Sequence, residues 1–449
     1  MLKLNDLGKV FVILLMITVF PMISAWGYGF YDVKWGSNTA GFTARSLAMG
    51  GVGMNSEVNG SAVFINPASL SRVNGLNVGL DYRLTYARED WSFPAHDNFD
   101  GYLTDNIYSQ SAVPYPDFGF SISYKPKELK YSPGFGISYH PIRDFRYNYE
   151  EEVRESSGYA QPDERDSLIS INSVRNKGKF YFIGIGAGWK LNDILSFGLA
   201  YNLFPAGDQS IRKFYSDVIY PDTNSTDTGM RAYLNPSGSG YLMFGFNIKP
   251  TDRYNFGFAY QSEYTIKYNY KSYDIPLSEI TEGKYEEVNP VQLSAAFSYR
   301  PRSALFSYLE VEFHYTYWSN YRVRDYGTMT SYGTDTTSVA IDTTYYDNLD
   351  DSWEVRVGVE HQFYSRIPAR FGFRLYPNPD NRRILASMIS VGTGFTVNKF
   401  QIDLGGALIT RASRQSSWFG NANRWDAEKN RLEESHLIGT ISLAYKFNI

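Results

Sequence analysis

Leu76-Asn77-Val78-Gly79-Leu80-Asp81-Tyr82-Arg83-Leu84-Thr85 is the stretch whose reading decides the fold. Leu76, Val78, Leu80, Tyr82 and Leu84 take every second position, and Asn77, Gly79, Asp81, Arg83 and Thr85 fill the places between. A period of two puts the two sets on opposite faces of a β-strand. One face is oily and the other carries Asp and Arg, so the strand divides an apolar medium from a polar one. The pattern returns at 118–125, 135–149, 180–190, 195–213, 241–249, 254–270, 288–300 and 305–321, then at 352–364, 367–376, 387–397, 399–410 and 436–448. That makes about fourteen strands, and an even count is what bacterial outer-membrane barrels have.

The connections between runs give an independent test. Long ones (88–117, 150–179, 214–240, 271–287, 322–351, 411–435, with 377–386 shorter) alternate with short ones at 126–134, 191–194, 250–253, 301–304, 365–366 and 398. Short turns on one rim and long loops on the other mark a transmembrane barrel, and a soluble sandwich has no reason to alternate this way. Individual faces agree. Val355, Val357 and Val359 alternate with Glu354, Arg356 and Glu360, and Phe371 and Phe373 with Arg370 and Arg374. Leu309, Val311 and Phe313 oppose Glu310, Glu312 and His314. An Arg or Lys turned to the bilayer midplane costs roughly 2–4 kcal/mol, which fixes the register.

Composition is consistent with this class. Aromatic residues are 17% of the chain, with 38 Tyr and 30 Phe, yet mean hydropathy is only -0.35. Helical membrane proteins carry several long apolar runs, and here one stands alone near the N-terminus. Lys3 and Lys9, the apolar run from Val10 to Phe20, Pro21 and the small Ala25 have the layout of a secretory signal peptide over residues 1–25. The net charge of -4, without a basic block, speaks against nucleic acid as a partner. With no cysteine there are no disulfides, thiolate chemistry or Cys-ligated metals.

Residues 26–74 precede the barrel of 75–449 and are too many for a simple lead-in. A fourteen-stranded lumen is wider than its own side chains fill, so we expect this segment inside it as a hatch, or plug. The small, apolar 44–53 suits close packing against a wall. Asn66-Pro67-Ala68 suits a tight turn, since Pro fixes φ and Asn bonds nearby backbone. Asn66, Pro67 and Ala68, with Gly50 and Gly51, are the candidate gate; the other reading is that the turn only folds the segment back toward the first strand.

The runs Ala44-Arg45-Ser46-Leu47-Ala48-Met49-Gly50-Gly51 and Ser61-Ala62-Val63-Phe64-Ile65-Asn66-Pro67-Ala68 resemble the FadL/TodX (OMPP1) family of outer-membrane transporters for hydrophobic compounds. So do Trp353-Glu354-Val355-Arg356-Val357-Gly358-Val359-Glu360, Arg370-Phe371-Gly372-Phe373 and Pro377-Asn378-Pro379. The resemblance implies an N-terminal hatch in a fourteen-stranded barrel, capture of ligand outside, and lateral release through the wall. It implies the outer membrane of a Gram-negative bacterium, a monomer, no cofactor, and a hydrophobic small-molecule ligand such as a long-chain fatty acid or an aromatic hydrocarbon. Outer-membrane lipid and the assembly machinery are the other partners. The Asn-Pro-Ala turn is shared with PorV-like secretion barrels, which gives the alternative of a barrel that binds proteins.

Pro141 falls inside the third run, and an interior proline marks a bulge, a kink or an edge because it cannot donate to a ladder. The family resemblance makes it the candidate for the lateral opening. The inward charges Asp81, Arg83, Glu310, Glu312, Glu354, Arg356, Glu360, Arg370, Arg374 and Asp403 have mixed signs. Pairing across neighbouring strands is the expected outcome, since an unpaired charge in a confined lumen is costly; binding of a ligand carboxylate is the other. Loop aromatics Trp91, Phe93, Phe99, Tyr102 and Tyr108 either line an apolar pocket or form an interfacial girdle. Asp222, Asn224, Thr226 and Asp227 space oxygens as a calcium loop does but lack its Gly and distal Glu, so no metal is expected. No nucleophile motif, HExxH or phosphate loop involves the five His, and an enzyme is not expected.

Overall fold

In the computed structural model fourteen strands close into one antiparallel ring. They are β1 (Gly75–His96), β2 (Tyr102–Lys125), β3 (Gly134–Asp144), β4 (Lys179–Lys190), β5 (Leu195–Phe204), β6 (Ser239–Ile248) and β7 (Tyr254–Gln261). The second half is β8 (Gln292–Tyr299), β9 (Ser307–Thr316), β10 (Ser352–Gln362), β11 (Pro368–Pro377), β12 (Leu385–Val397), β13 (Phe400–Arg414) and β14 (Arg431–Phe447). Each pairs with its neighbours in sequence, and β14 returns to β1 from Leu76↔Phe447 to Ser92↔Arg431. The structure describes residues 30–447 except 31–32, 34–35, 39–40, 98, 100, 127–130, 155–166, 221–224, 276–278, 302–306, 333–335, 347, 364–366, 416–417 and 420–429. The expected signal peptide and part of the 222–227 oxygen cluster lie outside the described residues.

The fourteen alternating runs correspond one to one with these strands. The alternation also has the predicted sense: Phe371 is 59% exposed, whereas its neighbour Arg370 is 3% exposed and points inward. Leu242, Phe244, Phe246, Phe258, Phe313, Ile389 and Leu437 belong to a belt of exposed large apolar side chains around the ring. A surface this apolar belongs in a membrane rather than in water.

Two expectations about the loops need correction. The segment 88–117 is not a loop, because β1 runs on to His96 and β2 begins at Tyr102. Four other long connections form hairpins that join into a second, eight-stranded sheet. In chain order its strands are Tyr147–Arg154, Leu168–Lys177, Arg212–Tyr220, Ser225–Pro236, Tyr264–Ile275, Glu279–Asn289, Arg322–Tyr332 and Thr336–Tyr346. The runs 135–149, 195–213 and 254–270 therefore pass from the wall into this sheet, the run 288–300 begins in it, and the run 305–321 ends just before its strand Arg322–Tyr332. A short break separates the two parts, such as Ser262-Glu263 between Gln261 and Tyr264. The alternation continues across the break because each sheet keeps an inner and an outer face.

Residues 41–73 hold the only α-helix of more than a single residue among the described residues, α1 (Ala44–Ala48), and two 3-10 turns, Gly60–Phe64 and Pro67–Arg72. Each has a side-chain cap that accepts from its first turn: Thr43 from Ser46 N, Asn59 from Ser61 N and Asn66 from Ala68 N. Pro67 occupies the first position of its turn, where a missing N–H costs nothing. Leu47, Met49, Val52, Met54, Val63 and Leu70 are all buried. Helix α1 packs on β11–β14 and the two turns pack mainly on β3–β6, so the segment reaches across the ring from wall to wall.

Candidate functional site

The inward charges of the wall and the backbone of the N-terminal segment meet directly. Glu312 accepts from Gly53 N at 2.7 Å and Met54 N at 2.6 Å, and Glu310 accepts from Asn55 N at 2.6 Å. Arg45 of α1 donates to Glu360 at 3.1 Å, Ala44 N to Ser442 Oγ at 2.7 Å, and Gly50 N to Ser390 Oγ at 2.9 Å. The carboxylates thus satisfy N–H groups that would otherwise be buried without a partner.

The same charges pair with one another across strands. Arg370 bridges Glu360 and Asp403, at 2.7 Å to each. Glu354 lies between Arg356 and Arg374. Asp81 is 3.3 Å from His140 and also accepts from Ser442. Arg83 donates to Thr440 and to the Gly41 carbonyl, with its guanidinium 4.7 Å over the Phe42 ring.

Glycines of the wall set how closely the segment can approach. A Cβ built on Gly372 of β11 would lie 1.8 Å from Gly50 N, and one on Gly50, whose φ is +74°, would lie 2.6 Å from Phe373 O. Across the ring, a Cβ on Gly198 of β5 would lie 2.2 Å from the Pro67 carbonyl carbon. Backbone rests on backbone at both contacts. Asn66 fixes the second by donating to Asn247 Oδ1 at 3.0 Å while it caps its own turn. Gly51 also has positive φ (+84°) and gives its carbonyl to Arg356 at 2.9 Å. Ala68 is fully buried in the Asn66-capped turn. The sequence reading missed the part played by the wall glycines.

Pro141 sits where the wall changes. The ladder between β2 and β3 runs only from Phe120↔Tyr139 to Tyr124↔Phe135, whereas β3 pairs with β4 from Gly134 to Asp144. A register shift interrupts that second ladder between Pro141 and Arg143, as a residue without an N–H would have it. From His140 onward β3 has no ladder to β2. The two-residue strand Ser37–Asn38 pairs instead with Asp144 and Arg143. Above this break Asp117 of β2 reaches Lys179 of β4 at 2.8 Å and Arg146 at 3.4 Å, so side chains rather than backbone close the seam.

A cavity of about 190 Å3 lies over the N-terminal segment. Its walls come from Phe42, Phe64 and Ile65 of the segment, from Met243, Ser294 and His314 of the ring, and from Tyr264 and Asn289 of the second sheet. On one side it is bounded by His140, Ile142 and Arg143, the part of β3 without a β2 ladder. A separate aromatic cluster sits at the long-loop end. There Phe30 packs edge-on against Trp91 at 5.3 Å and Trp418 at 5.0 Å, beside buried Tyr147 and Tyr149. Of the loop aromatics, Trp91 is fully buried in this cluster, with Tyr108 packed against it and Phe93 beside Tyr108; Phe99 and Tyr102 are exposed. Among the described residues no group of His, Asp and Glu is placed to hold a metal ion.

The geometry defines a class: a fourteen-stranded antiparallel membrane barrel with a segment of its own chain across the lumen. Solved structures share this fold. The chain is similar to a Pseudomonas aeruginosa FadL homologue at 17% identity and TM-score 0.57, covering 92% of this chain and 99% of that one. It is similar to the P. putida toluene transporter TodX at 14% identity and TM-score 0.58, covering 91% and 99%. The Ralstonia pickettii toluene transporter TbuX aligns at 13% identity and TM-score 0.54, covering 91% and 99%. No family model matches the sequence, and no curated protein matches it. The resemblance carried by the quoted motifs is thus matched by the fold.

Proposed function

We propose that the chain is an outer-membrane channel of a Gram-negative bacterium for passive uptake of small hydrophobic molecules. The second sheet and the aromatic cluster face the outside and capture the ligand, and residues 26–74 act as the hatch. The ligand passes through the lumen cavity and leaves sideways into the bilayer between β2 and β3. One observation carries this reading: the cavity is bounded by His140, Ile142 and Arg143, where β3 has parted from β2. An apolar solute in the cavity then has a route to lipid that avoids the polar periplasmic mouth. Passive transfer needs only modest affinity and no energy source, and it asks no reaction of the residues present. In fold the chain is like the toluene transporters TodX and TbuX and the CymD monoaromatic hydrocarbon channel.

Native mass spectrometry of the protein taken directly from membranes tests the reading. Small apolar molecules that co-purify, and that are released by Met243→Trp in the cavity, are the expected result. A preparation that carries a stoichiometric protein partner and no small molecule would reject it in favour of a secretion-type barrel.

A further inference from the structure

A ligand that leaves through the wall has no need of the short-turn mouth, yet this mouth carries a marked excess of positive charge. Another cavity, of about 250 Å3, lies there between the N-terminal segment and the ends of β6–β9. Four cations line it, Arg72 of the segment and Lys249, Arg253 and Arg300 of the turns, against one acid among the described residues, Asp252. Asp252 is taken by Lys249 at 2.7 Å. Among the described residues no carboxylate lies within ion-pair distance of the three arginines.

The fold holds these charges together. Tyr254 pairs with Tyr299 at the end of the β7–β8 ladder, and just beyond it Arg300 N donates to the Arg253 carbonyl at 2.9 Å. Two arginines thus stand opposite each other across strands, where like charges destabilise. The Arg300 guanidinium lies 5.1 Å over the Tyr308 ring, which orients it, and its N–H fork has no acceptor among the described residues. Arg72 donates from Nη2 to the Asn55 carbonyl at 2.8 Å and to Ser69 Oγ at 2.7 Å, both neutral. Its Nη1 has no partner among the described residues and is not sealed within the protein. Glu310 acts on Arg72 only from beyond ion-pair distance, and it is engaged by Asn55 N and the Tyr308 hydroxyl.

We infer that this cavity binds a negatively charged phosphate group, which bridges Arg72 of the segment to Arg253 and Arg300 of the wall. Water can solvate each guanidinium but cannot cancel three like charges around one cavity, and an oxyanion does both. Guanidinium forks match phosphate oxygens in pairs, and a phosphate offers more oxygens to several forks than a carboxylate does. The group is either free phosphate or the headgroup of an anionic phospholipid at this rim, since both present the same oxygens. Bound there, it fastens the end of the segment to the short-turn mouth. This contact is separate from the Glu310 and Glu312 docking and independent of what the channel carries.

Hydrogen exchange on peptides covering 67–73 of the full-length protein reads the bridge. In one arm, inorganic phosphate is titrated into detergent-solubilised protein, with sodium chloride of equal ionic strength as the control. In the other, nanodiscs of phosphatidylglycerol are compared with nanodiscs of phosphatidylcholine, whose choline neutralises its own phosphate, in phosphate-free buffer. Ligand at about ten times its Kd should slow exchange of these amides roughly tenfold. The arm in which this occurs identifies the source. Arg72→Gln should abolish the protection, and Arg300→Gln, at the exposed mouth and outside the segment, should raise the ligand concentration it needs by roughly tenfold or more. Protection in neither arm, or protection equalled by sodium chloride, would overturn the inference and leave the channel reading standing. Protection that survives undiminished in either variant would also overturn it.

Discussion

Glu312→Ala isolates what holds the N-terminal segment in place. The Glu312 carboxylate is fully buried and accepts from Gly53 N and Met54 N, and neither donor has another partner among the described hydrogen bonds. Alanine would leave two N–H groups in a site that water does not reach. At roughly 1–3 kcal/mol for each orphaned group, docking weakens by roughly 2–6 kcal/mol. Even the lower figure multiplies the undocked population by roughly 30. The loss is local, because Arg356 keeps Glu354 and His314 keeps Ser294. Hydrogen exchange followed by mass spectrometry on peptides covering 50–58 is the direct assay. Those amides should exchange at least roughly 30-fold faster in the variant, with the wall strands as protected as before. Glu312→Gln keeps an acceptor for both donors and should stay close to the parent. Unchanged exchange in Glu312→Ala would refute the claim that the wall carboxylates dock the segment.

Two further perturbations act on other parts of the site. Gly372→Ala puts a methyl 1.8 Å from Gly50 N, a backbone atom that cannot move aside alone. It should expose 41–53 to limited proteolysis while leaving the barrel folded and heat-modifiable on gels. Arg370→Ala takes from Glu360 and Asp403 the cation they share and leaves Glu360 with Arg45. Breaking a buried pair by removing one partner costs about 3–5 kcal/mol, so the midpoint of unfolding in denaturant should fall clearly, and Asp403→Asn in the same chain should recover part of the loss.

Much of the ring could be read from period-two alternation, because a bilayer outside and a polar interior impose opposite chemistry on successive residues. Phe371 and Arg370 fall on the predicted sides for that reason. The second sheet was not legible. Beyond the bilayer neither face has to be apolar, so Lys271, Glu282 and Glu286 occupy its strands in cross-strand ion pairs, the last with Lys267, and 271–287 read as loop. The switch from wall to extension at Ser262-Glu263 was hidden because aromatic and apolar residues keep the even positions across it, although Phe256, Phe258 and Tyr260 face outward in the wall and Tyr264, Ile266 and Tyr268 are buried in the extension.

For the site, the sequence pointed to residues but not to their partners. Mixed signs along the strands do not say which of Glu354, Glu360, Arg370 and Arg374 meet, and the docking of Glu310 and Glu312 onto main-chain N–H groups depends on where the segment crosses the ring. Gly198 and Gly372 look like ordinary strand glycines until an opposing backbone is placed on them.

The central claim is that ligand leaves through the seam between β2 and β3. The chain has no cysteine of its own, so Phe118→Cys with Pro141→Cys, the pair that would extend the ladder past Phe120↔Tyr139, can be bridged by a bifunctional thiol reagent in intact cells. Uptake of labelled p-cresol or toluene is then compared before bridging, after bridging, and after cleavage of a reducible bridge. The account predicts uptake that collapses on bridging and returns on cleavage. Uptake that is unaffected by the bridge would contradict it.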